Sequence, residues 1–208
     1  MNESTNSLRI QSAHQVPGIH DRLHEMVPWL RHADSPYFEL LFAGRDGDAM
    51  TRRWLKRSDS ELALQSTQVL IAEDRLAGGF IGFSGRQLGR RREADIIDLA
   101  RQIGNPRCPR FRTQISDIYT LTSPVARDSY YLSKLGILPE IDAHPLRQFL
   151  LESCIERARH IGFKHLRFDV DEANTVLSRL FADNGFEVIA RRQARVSSIR
   201  YLNMHRAL

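Results

Sequence analysis

Between Leu135 and Phe186 the chain reads as strand, long helix, strand and short helix in close succession. The first strand ends in Ile137-Leu138-Pro139-Glu140. Leu146, Phe149, Leu150, Cys154, Ala158 and Ile161 then recur as the apolar stripe of an amphipathic helix. Gly162 stands just past its last turn, where a left-handed residue commonly closes a helix. Leu166, Phe168 and Val170 alternate along the second strand, and Thr175 to Asn184 is a short helix ended by Gly185. Two strands joined through a helix at this spacing imply a crossover between parallel neighbours. That connection commits part of the sheet to parallel pairing.

The rest of the chain suggests antiparallel neighbours. Leu8 to Ala13 predicts a first strand. Leu23, Met26, Val27 and Leu30, then Phe38, Leu41 and Phe42, predict two short helices broken near Ser35-Pro36, and Ala49 to Leu64 a third with a basic face. Thr67 to Ala72 and Gly78 to Phe83 form a hairpin turning at Glu73-Asp74-Arg75. Gly78, Gly79 and Gly82 would admit a close approach of another chain or a ligand. About 45 residues separate this hairpin from the next strand, Tyr130 to Leu138. Within them Ile96, Leu99 and Ile103 have helical spacing, Cys108-Pro109 marks a loop, and Ile118 to Leu121 reads as a strand turned by Ser123-Pro124. So long a connection is either a packed helical insertion or a wall of a binding pocket. Glu187 to Leu208 supplies two last strands. The expected architecture is one domain over 1–208 with an insertion at about 84–128: an α/β (α+β) fold whose mixed, mostly antiparallel central sheet carries helices on both faces.

Composition excludes several classes. No apolar run approaches the roughly 20 residues of a membrane helix, and Met1 to Ser7 has neither the basic start nor the apolar core of a signal peptide. A cytoplasmic location is expected. Cys108 and Cys154 are the only cysteines, so there is no disulfide framework, and neither has a zinc-ligand partner at the right spacing. No metal is expected: His20 and His24 are one helical turn apart but lack a third ligand. The formal charge of +5 suits an acidic partner or a solvated arginine-rich surface. Arg90-Arg91-Arg92 is the only dense basic run, and no aromatic interleaving suggests a stacking platform. Nucleic-acid binding is not expected.

Taken in order, Leu135-x-Ile137-x-Pro139-Glu140, Leu150-Leu151, Asn174-x-x-Leu177-x-x-Leu180-Phe181-x-x-x-Gly185-Phe186 and Met204-x-Arg206-x-Leu208 resemble the acyl-CoA half of the GNAT superfamily of N-acyltransferases. The resemblance runs from about Val69 to the C-terminus. It implies that Leu135, Gly136 and Ile137 hold the thioester and pantetheine arm of acetyl-CoA, or another acyl-CoA, through backbone hydrogen bonds. It further implies that Asn174 contacts that arm.

The family's pyrophosphate loop, Arg/Gln-x-x-Gly-x-Gly/Ala, falls on Asp142 to Arg147. There the chain departs from it. Helix N-termini bind anions through backbone N–H groups, but Pro145 has none, and Asp142 brings a negative charge. Arg147 and His144 are left as side-chain donors. Three readings remain open: CoA bound in an altered way, a phosphopantetheine on an acyl carrier protein, or lost cofactor binding. The family's general base corresponds to Tyr131 here, which could orient the amine or relay its proton. Its general-acid tyrosine corresponds to Phe181, which cannot donate a proton. Asp169 and Asp171 are further candidates for binding a cationic acceptor.

The resemblance thus implies acyl transfer to a primary amine of a small molecule or peptide by direct attack, with the acceptor pocket built from the helices at 20–64 and the insertion. A homodimer is compatible with it. Two other classes compete: a non-catalytic domain of the same fold binding a ligand or partner, and tRNA-directed acetylation, which has only the basic charge in its favour.

Overall fold

The computed structural model describes residues 8–42, 45–103, 109–122 and 124–208. Seven strands form one sheet in the order β1-β2-β3-β4-β5-β7-β6. They are β1 (Arg9–Ser12), β2 (Thr67–Ala72), β3 (Arg75–Ser84), β4 (Tyr130–Ile137), β5 (His165–Asp171), β6 (Glu187–Gln193) and β7 (Arg200–Ala207). Among the described residues only β4 and β5 pair in parallel, and α6 (His144–His160) makes the crossover between them. With α7 (Thr175–Asp183), α6 packs on one face against Leu132, Leu135, Leu166, Phe168 and Val170. The opposite face carries α1 (Leu23–Ala33), α2 (Ser35–Phe42), α3 (Gly47–Leu55), α4 (Gly85–Ile103) and α5 (Pro109–Leu121). The expected mixed sheet with helices on both faces is thus the observed architecture. No helix among the described residues is long and apolar enough to cross a membrane.

Local chemistry accounts for several ends. Gly162 takes φ +89°, and the Phe163 N–H donates to the Ala158 carbonyl at 3.0 Å, closing α6. Asn174 caps α7 by accepting from the Leu177 N–H at 3.0 Å. Cys154 lies fully buried on the apolar stripe of α6, and burial pushes its thiol up; Cys108 lies outside the described residues.

Four local expectations are corrected. The third helix stops at Leu55 rather than running to Leu64, because the next segment is held by α4 instead of by its own helical bonds. Asp95 Oδ2 accepts from the Ser60 hydroxyl (3.0 Å) and the Glu61 N–H (2.8 Å), and Arg92 Nε donates to Glu61 Oε1 at 2.6 Å. The helix read from Arg92 begins already at Gly85; its polar first turns hid it. Ile118 to Leu121 is the last turn of α5, not a strand. Gln114 and Asp117 take buried positions between Phe111 and Ile118 and so mask the helical period. Ser123, expected in a turn there, lies outside the described residues. The basic run is only partly a solvated surface: Arg91 lies over the Phe83 ring at 4.5 Å, and Arg92 is buried with Glu61.

In β4 the register against β3 shifts by one residue, Ile81 facing Lys134 while Gly82 faces Leu132. Ser133 is therefore the extra residue of a bulge, which re-aims the side chains after it. Gly136 can then pass under α1, where a Cβ would lie 2.6 Å from the Trp29 carbonyl oxygen. The glycines of β3 serve the fold in a similar way. A Cβ on Gly78 would meet the Gly136 oxygen at 2.6 Å, so the close neighbour there is the adjacent strand.

The β2–β3 turn consists of Glu73 (φ 49°) and Asp74 (φ 61°), with Arg75 already in β3. Two successive positive φ values define the mirror-type hairpin turn that Asn-Gly suits best. Replacing Glu73→Asn together with Asp74→Gly should raise unfolding stability by about 1 kcal/mol, measured by urea denaturation.

Burial, with Glu61 adding negative charge nearby, pushes the Asp95 carboxyl up to about 8. The folded chain then keeps a proton that the unfolded chain has released, so this contribution to stability is lost as pH rises from the ordinary carboxylate range toward 8. Between about pH 5 and pH 8 the native protein should lose up to about 1.4 kcal/mol per pH unit relative to Asp95→Asn. Urea midpoints of both proteins across that range test this.

Candidate active site

The site begins with an incomplete pairing. β4 is bonded to β3 along its length, but it pairs with β5 at three positions only: Tyr130 with Leu166, Tyr131 with Arg167 and Leu132 with Phe168. Beyond Leu132 the two parallel strands part, and among the described residues no other strand takes up that edge of β4. A free strand edge is a row of backbone donors and acceptors able to bind an extended, amide-bearing ligand.

A cavity of about 170 Å³ opens there. Leu135, Gly136 and Ile137 line it from β4, Asn174, Val176 and Leu177 from the start of α7, His32 and Ala33 from the end of α1, and Asp142 and Arg147 from the entry to α6. Of the residues named from sequence, Leu135, Gly136, Ile137, Arg147 and Asn174 are therefore brought together. His144 is exposed at the first position of α6 and does not line the cavity. Phe181 is fully buried, stacked on Phe168 at 4.1 Å and edge-on to Phe186 at 4.7 Å. It anchors α7 to the sheet and does not line the cavity either. His32 had no sequence signal; α1 delivers it to Asp142 across 110 residues of chain.

At the entry to α6, Arg147 grips Asp142 with two nitrogens, Nε to Oδ1 at 2.6 Å and Nη2 to Oδ2 at 2.7 Å. His32 Nε2 lies 3.1 Å from the same Oδ2.

On the face under α1 to α5 lies a buried polar layer. Tyr131 donates its hydroxyl to Asp169 Oδ2 at 3.0 Å, and Asn203 Nδ2 donates to Asp169 Oδ1 at 2.6 Å. Burial pushes the Asp169 carboxyl up, opposed by Arg92 and by these two hydrogen bonds. Burial likewise pushes the Tyr131 phenol well up, so it stays protonated. Tyr131 does not line the cavity. Nearer to it, Lys134 Nζ donates to Asp34 Oδ2 at 2.7 Å and sits 4.1 Å over the Tyr37 ring. The Tyr201 hydroxyl donates to the other Asp34 oxygen. Asp34 follows directly on Ala33, and Lys134 precedes Leu135, so this cluster adjoins the cavity wall. Asp171 is half-buried at the end of β5; burial pushes its carboxyl up, with Asp34 and Glu172 adding negative charge. Among the described residues no group of three or more His, Cys, Asp or Glu is placed to hold a metal.

No protein-family model matches the chain, and no curated protein sequence matches it. Solved structures do. An N-acetyltransferase from Staphylococcus aureus Mu50 superposes with a TM-score of 0.68 at 16% identity, over 95% of this chain and 100% of the other. An agmatine N-acetyltransferase gives 0.61 at 13%, over 97% and 100%. A GCN5-related N-acetyltransferase from Kribbella flavida gives 0.53 at 18%, over 97% and 98%. The fold is that of the GNAT superfamily of N-acetyltransferases.

Lys134 and Asp34 are both almost fully buried, with side chains 5% and 10% exposed. Removing one member of such a pair leaves an uncompensated charge. Asp34→Ala should cost about 3–5 kcal/mol of stability, and adding Lys134→Met should restore part of it. Denaturant unfolding of the single and double variants measures both.

Proposed function

We propose that the protein is an N-acyltransferase that moves an acyl group from an acyl thioester to a primary amine of a small molecule or peptide. The observation that carries this reading is the free edge of β4 at Leu135 to Ile137, which forms one wall of a cavity completed by Asn174. A pantetheine arm, with its two amides, is the extended ligand that such an edge suits. The donor is acetyl-CoA, another acyl-CoA, or a phosphopantetheine on an acyl carrier protein.

The amine approaches from the face under α1 to α5, where α4 and α5 wall the acceptor side. Asp171, half-buried at the end of β5, supplies the negative charge that holds a cationic acceptor; the agmatine N-acetyltransferase of the same fold has a cationic amine in its name. Attack is direct. The amine nitrogen bonds to the thioester carbon, the carbon–sulfur bond breaks, and the thiolate leaves. Tyr131 takes the amine proton through water and passes its own directly to Asp169, whose raised affinity for protons suits that task.

With acetyl-CoA or S-acetylpantetheine as donor, the protein should release thiol in the presence of one or more of agmatine, polyamines or peptide N-termini. Tyr131→Phe should lower kcat about a hundredfold or more, with little change in KM. A folded protein that binds the donor yet releases no thiol with any amine would instead be a non-catalytic binding domain.

A further inference from the structure

We propose that Asp142 is the specificity-determining residue of the donor site. Its carboxylate occupies the anion seat formed by Arg147 and His32, so the site favours acyl thioesters on a pantetheine arm without a pyrophosphate over acyl-CoA. This rests on the donor-site reading above.

Three observations carry it. First, the seat is built and filled. Arg147 binds Asp142 through two nitrogens at 2.6 and 2.7 Å, and His32 Nε2 stands 3.1 Å away. The Asp142 side chain is only 11% exposed and that of Arg147 21%. Second, these three side chains line the same cavity as Leu135, Gly136 and Asn174, and among the described residues they are its only ionisable lining groups. Third, the backbone offers little in their place. Pro145 lacks an N–H, and the Leu146 and Arg147 N–H groups both donate to the Ala143 carbonyl at 3.1 Å. Only the His144 N–H is left from the first turn of α6.

A pyrophosphate entering here must therefore find its partners on side chains, and the guanidinium among them, Arg147, is already held by an internal carboxylate. It must displace Asp142 from a charge-assisted hydrogen bond and a second close ion contact and then lie beside the displaced negative charge. A pantetheine thioester that ends before the phosphates needs no such displacement.

Calorimetric titration with CoA and with S-acetylpantetheine, on the native protein, Asp142→Asn, Asp142→Ser and Arg147→Ala, tests this. Asp142→Asn should tighten CoA by about fivefold or more and leave S-acetylpantetheine within about twofold. Asp142→Ser should act in the same direction, which guards against a fault particular to one replacement. Arg147→Ala should weaken CoA and spare S-acetylpantetheine. CoA affinity unchanged or weakened in both Asp142 variants, or both ligands shifting by one common factor, overturns the proposal and leaves the donor site standing. Failure of every folded protein to bind either ligand overturns the donor site itself, and this proposal with it.

Discussion

The parting of β4 from β5 is the constraint on which the rest of the structure depends. Three paired positions hold the two parallel strands together, and then the bulge at Ser133 re-aims β4 while α1 crosses it at Gly136. Pro139 and the turn after it lead the chain away into α6. What remains is an unpaired stretch of strand edge whose residues line a cavity in the middle of a sheet. An edge at the rim of a sheet invites aggregation; one enclosed by α1, α6 and α7 is confined to ligands slender enough to enter.

The two faces of the sheet are held by different means. Under α6 and α7 the contact is apolar: Leu150, Leu151, Cys154, Phe168 and Phe181 interdigitate. Under α1 to α5 the apolar cluster is interrupted by buried polar and charged groups, several of them paired across elements. Arg92 meets Glu61, Lys134 meets Asp34, and Tyr131 meets Asp169. Buried ion pairs contribute little net stability, but breaking one is costly. These contacts fix how the helices and the 56–63 segment sit over the sheet, and so keep a polar surface beside the cavity.

Charge also distinguishes the two sides of the proposed site. On the acceptor side Asp171 suits a cation and Asp169 a departing proton, while the charge of Asp34 is already met by Lys134. On the donor side Arg147 and His32 suit an anion, and the chain places one of its own there. At the entry to α6 the proposed anion seat is made of side chains rather than main-chain donors, and an internal carboxylate competes for it.

The sequence by itself determined the order of elements. Apolar periods of about two and 3.6 between Leu135 and Phe186, with Gly162, Asn174 and Gly185 at the ends, define the strand–helix–strand–helix unit through local physics. They also place Leu135, Gly136, Ile137 and Asn174 beside one another, because the crossover brings the end of β4 to the start of α7. Local rules failed where polar residues took buried positions, as Gln114 and Asp117 do in α5 and Ser60 and Glu61 do after α3. Only the tertiary structure decided what meets across long separations. Asp34 receives Lys134 and Tyr201 from 100 and 167 residues away, and His32 joins Asp142 across 110. No period or spacing encodes those meetings, since each partner satisfies its charge or hydrogen bond only after the sheet and helices have brought it there. The same holds for Phe181: its position in the motif suggests a donor contact, but the packing of Phe168 and Phe186 around its ring places it in the core.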